Sequence, residues 1–358
     1  MFKGYYKNYI TIEYYNKFMK YLFLLLFGIS IYSCNTETER IVIVELPQPT
    51  VIQAEELSDD IVMSPPLQMK AWKEHFLFFH PGMGKSILFY NNEQRKEVLW
   101  GSMGSGPDDF FSPACIYENA KDSIIELFDM NLRKKIVYKC YIEEENTTLT
   151  RLEYYSIKSD TISLLGMHRM DNAWHIGFAG VGCNDMFVFM NQKGKELRPT
   201  ESFGGKPIKE MPNGNFLQLY GWFASYENKF FFAAQPAGYL CCYNISDAGQ
   251  ATKEWEYFLT QPIFDAVTNK WKKENRRGCY DIQVNEEYVF VAFSGETYEE
   301  GSKLPQEIIV FSHEGKIIKR LRLNEEFMIG KFSVKEDMIY AYGNGKLISF
   351  NWKNAMSL

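Results

Sequence analysis

The chain of 358 residues lacks any apolar stretch long enough to cross a bilayer. Its longest, residues 21–31, has 11 residues, where a spanning helix needs about 20. Positive charge is in short supply. The 39 Lys and Arg are outnumbered by 45 Asp and Glu, giving a net charge of -6 that argues against a nucleic-acid surface. Gly 25 and Pro 13 are ordinary counts, which excludes collagen-like and low-complexity tracts. Metal and catalytic signatures are missing as well. There is no C-x-x-C spacing, no H-E-x-x-H, no D-x-D-x-D-G loop and no G-x-S-x-G elbow. No metal, no cofactor and no catalytic residue is therefore expected.

Aromatic residues are abundant: Phe 28, Tyr 23 and Trp 7 make up 16% of a chain that is 46% hydrophobic, enough for a large core. They sit in short runs rich in β-branched residues and bounded by Gly, Asn, Asp and Pro, which is strand chemistry. Strand pairs recur near residues 76–90, 124–138, 164–190, 230–243, 288–311 and 338–350. A repeat of this length with several strands per unit is the signature of a propeller, one four-stranded blade per repeat. One small sheet cannot cover both of its apolar faces, whereas a closed ring gives every sheet two neighbours. The expected fold is therefore all-β, a six-bladed β-propeller over residues 41–358. The strand-like Ile41–Leu46 is expected to close the ring on the C-terminal blade. The alternative fold is a pair of β-sandwiches, which explains the strands but not the repeat length.

The N-terminus has a different character. Lys17 and Lys20 precede the apolar residues 21–31, in the order of a secretory signal. Ile31-Tyr32-Ser33-Cys34 resembles the lipobox of bacterial lipoproteins, which implies cleavage after residue 33 and lipidation of Cys34. Met19 is a candidate initiator, since residues 1–18 exceed a normal signal start. Residues 34–40 then form the lipidated cysteine and a polar tether. Loss of residues 1–33 removes four lysines and one glutamate and takes the net charge to -9. The reading places the protein at the cell envelope, held to the outer membrane by the lipid on its periplasmic or its surface face. Six cysteines remain, Cys115, Cys140, Cys183, Cys241, Cys242 and Cys279. Disulfides are permitted in that compartment, but free and mostly buried thiols are the expectation.

Gly101-Ser102-Met103-Gly104-Ser105-Gly106-Pro107-Asp108-Asp109-Phe110, followed by Pro113 and Ile116, resembles the G-x-x-G-x-G-P-x-E-F…P motif of TolB-like six-bladed propellers found as Bacteroidetes lipoproteins. Asp109 stands where Glu is usual. Phe203-Gly204-Gly205-Lys206-Pro207 is similar to a shorter motif of that family, and Tyr280–Gly295 with Ile308–Arg320 to its late blades. The resemblance implies the fold and a lipid anchor, but no activity. Gly101, Gly104, Gly106, Pro107, Phe110 and Pro113 read as a structural turn. The segment has no Lys-Ser/Thr pair, and its two aspartates would repel phosphate. Asp122-Ser123-Ile124 and Asp160-Thr161-Ile162 resemble the acceptor of Bacteroidetes O-glycosylation, and equally fit turn aspartates that open strands.

Two clusters are candidates for ligand binding: Tyr220 with Trp222, and Trp271 with Arg276 and Arg277. Large rings beside cations suit sugar or peptide recognition. The competing assignment is blade core for Trp222 and a solvated loop for residues 271–277. His168, Asp171 and His175 do not have metal spacing, His75 and His80 flank a strand, and Glu143–Glu145 reads as a solvated acidic run. Three functions follow: a non-catalytic binding module for a protein, peptide or glycan; a structural component of an envelope complex; or a lyase or hydrolase built on Arg276, Arg277, Asp281 and His175. The last is favoured where several of those four come within hydrogen-bond reach in the central funnel.

Overall fold

The computed structural model describes residues 41–357 except 60, 62, 83, 143–146, 301 and 302. The signal, Cys34, the tether and Glu143–Glu145 lie outside the described residues. Within residues 42–358 the chain forms six four-stranded antiparallel blades, counted among the described residues. Blades one to five each use four consecutive strands. They span residues 68–100, 113–157, 163–203, 221–258 and 279–323. Blade six takes Lys331–Lys335, Met338–Gly343 and Lys346–Asn351, and borrows its outermost strand from the N-terminal side of the domain. Each of the six sequence repeats falls in one blade, and the arrangement is not a pair of sandwiches.

The borrowed strand is Glu55–Ser58, antiparallel to Lys346–Asn351 with Glu55 opposite Ser349. This corrects the expectation that Ile41–Leu46 closes the ring. That segment lies beside blade four instead, where Val44 N–H donates to the Phe258 carbonyl and Phe258 N–H to the Val42 carbonyl. The chain then runs parallel to the outer strand of blade five at Thr50–Ile52 before it reaches blade six. The physical reason for the misreading is exposure. The outermost strand of a blade meets solvent, so Glu-Glu-Leu-Ser buries only Ser58 fully and carries no hydrophobic pattern. The apolar pattern belongs to Val44 and Leu46, which pack on the core between blades four and five.

That core is aromatic because broad, flat rings fill the space between adjacent sheets. Between blades three and four, Phe187 meets Phe230 edge-on at 5.1 Å and Phe178 stacks on Phe232 at 5.1 Å. Both geometries add to simple area burial. Blades two and three also join at their rims, where Ser156 and Ile157 pair parallel with Glu196 and Leu197. The only helix among the described residues, Trp352–Ser357, inserts Trp352 against Phe290 and Tyr288 of blade five. No helix among the described residues is long and apolar enough to cross a membrane.

Candidate functional site at the mouth of the central channel

The first strand of every blade faces the axis, and together the six enclose a channel of about 370 Å³. These strands cannot all be apolar, because their inner faces meet one another across a polar cavity. They are tied instead by side chains. Cys115 N–H donates to Gln68 Oε1 at 2.7 Å, Ala71 N–H to Ser333 Oγ at 2.9 Å, and His168 Nε2 lies 2.8 Å from Ser225 Oγ. Lys70 pairs with Glu118 at 3.3 Å. Burial drives His168 down to about 3, so the ring is neutral at physiological pH. Asp281 is buried and accepts from the backbone N–H of Ile282 and of Phe332, at 2.9 and 3.1 Å. Burial raises its carboxyl above the ordinary value, with Lys331 and the two donors opposing.

Trp222 forms part of the wall between this channel and a second cavity of about 450 Å³ at its mouth, lined in part by Met63, Pro65, Pro66, Leu304 and Tyr342. Tyr280 stacks nearly parallel to Trp222, with centroids 6.4 Å apart and planes 13° apart. Lys331 Nζ lies 3.9 Å from the centre of the Trp222 ring and donates to the Tyr280 carbonyl at 2.7 Å. Burial lowers the Lys331 amine to about 8, while Asp281 pulls the other way. The guanidinium of Arg277 covers the ring of Tyr298 at 4.7 Å. Loops of blades four and five hold this row together. Gly278 N–H donates to the Gln235 carbonyl at 2.5 Å, and a Cβ on Gly278 would lie 2.0 Å from Gly238 Cα, so only glycine fits there.

A third cavity, about 650 Å³, opens between blades two and three. Its floor is Glu126, which accepts from Lys135 at 2.9 Å and Arg169 at 2.6 Å and lies 3.6 Å from His175 Nε2. Burial alone would raise the Glu126 carboxyl. The polar contact with His175 and the charges of Lys135 and Arg169 hold it at about 2. Both cations sit on aromatic faces, Lys135 on Tyr155 at 4.4 Å and Arg169 on Tyr117 at 4.0 Å. Every charge in this cluster has a partner.

A family model described as TolB-like 6-blade propeller-like matches residues 46–337. The chain belongs to that family. Among curated proteins nothing matches the sequence. Solved structures resemble the TolB-like chain in outline. A luciferin-regenerating enzyme is 9% identical with a TM-score of 0.48, over 83% of this chain and 94% of that one. A putative exported protein of Bacteroides fragilis is 8% identical with a TM-score of 0.46, over 87% and 94%. A gluconolactonase of Xanthomonas campestris is 8% identical with a TM-score of 0.43, over 83% and 88%.

In this TolB-like chain the glycine-rich segment is the connection from blade one to blade two. Gly106 N–H donates to the Asp109 carboxylate at 2.9 Å, and a Cβ on Gly104 or Gly106 would lie 2.6 Å from that oxygen. Lys134 Nζ donates to the carbonyls of Gly106, Pro107 and Asp109, and Phe110 is buried beside Trp100 and Tyr138. Pro113 opens the first strand of blade two, and Gly101 has φ +74.

Of the five candidate ligand residues, Trp222 lines both the channel and the cavity at its mouth, while Tyr220 and Arg277 line neither. Trp271 also lies outside both: its Nε1 donates to the Gln218 carbonyl at 2.7 Å and its ring packs against Phe264. Arg276 is exposed and donates to the Gly295 carbonyl at 2.6 Å. The four residues of the enzyme reading stay apart. Asp281 lines the channel, His175 the groove between blades two and three, and the two arginines a loop. Sequence reasoning missed Lys331 and Tyr280, each at the start of an inner strand, and Tyr298 in a loop of blade five. A lysine directly after glycine at the head of a strand was the one visible signal for Lys331. The cysteines Cys115, Cys140, Cys241, Cys242 and Cys279 are free and buried, and Cys183 is free and half-buried. Among the described residues no three His, Cys, Asp or Glu side chains are grouped to hold a metal.

Proposed function

We propose that this TolB-like chain is an envelope protein, lipid-anchored through Cys34 to the outer membrane, that acts as a non-catalytic binding module. The channel mouth receives part of a protein or peptide partner. The observation that supports this reading is Lys331. A buried ammonium resting on Trp222 beside a cavity with apolar walls is costly to maintain in an empty scaffold, and useful in one that recognises a polar group flanked by apolar surface. The residues around it stack and donate hydrogen bonds, but none is placed as a nucleophile beside a base.

The test has two parts. Peptide and glycan arrays probed with the purified protein should show a bound subset, and Trp222→Ala should lose it while Trp271→Ala keeps it. Equal loss in both variants would refute the mouth as the site. Cys34→Ala should release the protein from the membrane fraction, and retention there would refute the anchor.

A further inference from the structure

We infer that the mouth recognises the free carboxylate at the C-terminus of a peptide whose last side chain is apolar. This rests on the binding reading above and gives it a ligand chemistry.

An ammonium carries three N–H bonds. Lys331 uses one, to the Tyr280 carbonyl, and it is only 7% exposed. No ion pair of Lys331 is found among the described residues; Asp281, whose charge it feels, is held by two backbone N–H groups. Contact with the Trp222 ring offsets part of the cost of burying that charge, but supplies no acceptor. A second unused donor lines the same cavity. The Tyr280 hydroxyl is buried and has no hydrogen-bond partner. Buried polar groups in folded proteins are rarely left unpaired, so this one, beside an under-used ammonium, points to an acceptor supplied from outside. Both groups donate, and a carboxylate is acceptor-only.

The cavity wall sets the rest of the ligand. Pro65 and Pro66 offer no N–H, and with Met63 and Leu304 they make an apolar wall for a cavity of about 450 Å³. That space suits a large aliphatic or aromatic side chain. A sugar would need an open ring face to stack on, but Trp222 already meets Tyr280 and Lys331. Asp281 close to Lys331 suits a single negative charge rather than the two of a phosphate monoester. The carboxylate therefore goes to Lys331 and the Tyr280 hydroxyl, and the last side chain lies among Pro66, Leu304 and Tyr342.

The experiment measures binding of the purified full-length protein to two pools of random octapeptides ending in leucine, one with a free C-terminal carboxylate and one amidated. An oligogalacturonate serves as the acidic-glycan probe. The free-acid pool should bind at least about tenfold more tightly, the size of a lost charge-assisted hydrogen bond. Lys331→Met should abolish that difference and Lys331→Arg should restore part of it. Equal binding of the two pools would overturn the carboxylate inference and leave the binding module standing. Binding of oligogalacturonate alone, lost in Trp222→Ala, would overturn the choice of peptide. No binding to either pool, with arrays also blank, would overturn both readings. The amidation arm uses the unaltered protein, so the result stands even if a Lys331 variant fails to fold.

Discussion

Replacing Lys331 by methionine isolates the electrostatic cost of the mouth. The buried amine titrates at about 8, against an ordinary value of 10.5. Between those values the unfolded chain holds the proton and the folded chain has released it. Stability of the natural protein therefore climbs with pH across that window, and below pH 8 the charged amine carries its full penalty. The difference is worth about 3 kcal/mol at pH 7. Methionine removes that penalty but forfeits the contact with Trp222, worth about 1–2 kcal/mol, and the bond to the Tyr280 carbonyl, worth about 1 kcal/mol. Stability at pH 7 should thus be nearly unchanged, whereas the pH dependence should alter. For a domain of this size about 3 kcal/mol corresponds to roughly 4 °C in Tm. Calorimetric scans from pH 7 to 10.5 should show the natural protein gaining that amount relative to Lys331→Met, since all other titrations are shared. Parallel profiles would refute the claim that the amine is buried and unpaired.

Ring closure makes a second prediction. Glu56→Pro should disrupt three paired positions against Lys346–Asn351 and cost about 3 kcal/mol, read as a Tm loss of roughly 4 °C. Removing residues 42–46 should cost less, and the reverse order would place the closing strand wrongly. At the Glu126 cluster, the carboxylate held at about 2 contributes stability above its ordinary range near 4.5 that fades as the pH falls through about 2. Glu126→Gln should therefore lower Tm strongly at pH 7, by leaving Lys135 and Arg169 unpaired, and only weakly near pH 2. For the thiols, burial pushes Cys140 up to about 12 and raises Cys115, Cys241, Cys242 and Cys279 as well. A thiol reagent applied to the native protein should modify Cys183 first among these six, as peptide mapping would show. Early labelling of Cys241 or Cys279 would contradict the packing.

The blades were legible because each inner pair of strands is buried on both faces, and runs such as Phe230–Ala234 and Val289–Phe293 announce this without any partner in view. The rim was harder to read. Glu55–Ser58 is a strand only because Lys346–Asn351 lies beside it, and no local pattern records a pairing across nearly 300 residues. The mouth was half legible. Trp222 stands out as a large ring beside Gly221 at the head of an inner strand. Lys331 and Tyr280 look like ordinary strand residues until ring closure brings blades four, five and six together. Glu126, Lys135 and Arg169 are hidden for the same reason: single charges on successive strands reveal nothing until blades two and three meet. Trp271 shows the opposite failure, a prominent ring beside cations whose indole is already committed to the Gln218 carbonyl.

A co-crystal structure with a peptide selected from the free-acid pool tests the account most directly. The account predicts the terminal carboxylate within hydrogen-bond distance of Lys331 Nζ and the Tyr280 hydroxyl, with the last side chain between Pro66 and Tyr342. A peptide seated in the groove of Glu126 and His175, or along a blade edge with the mouth unoccupied, would contradict it.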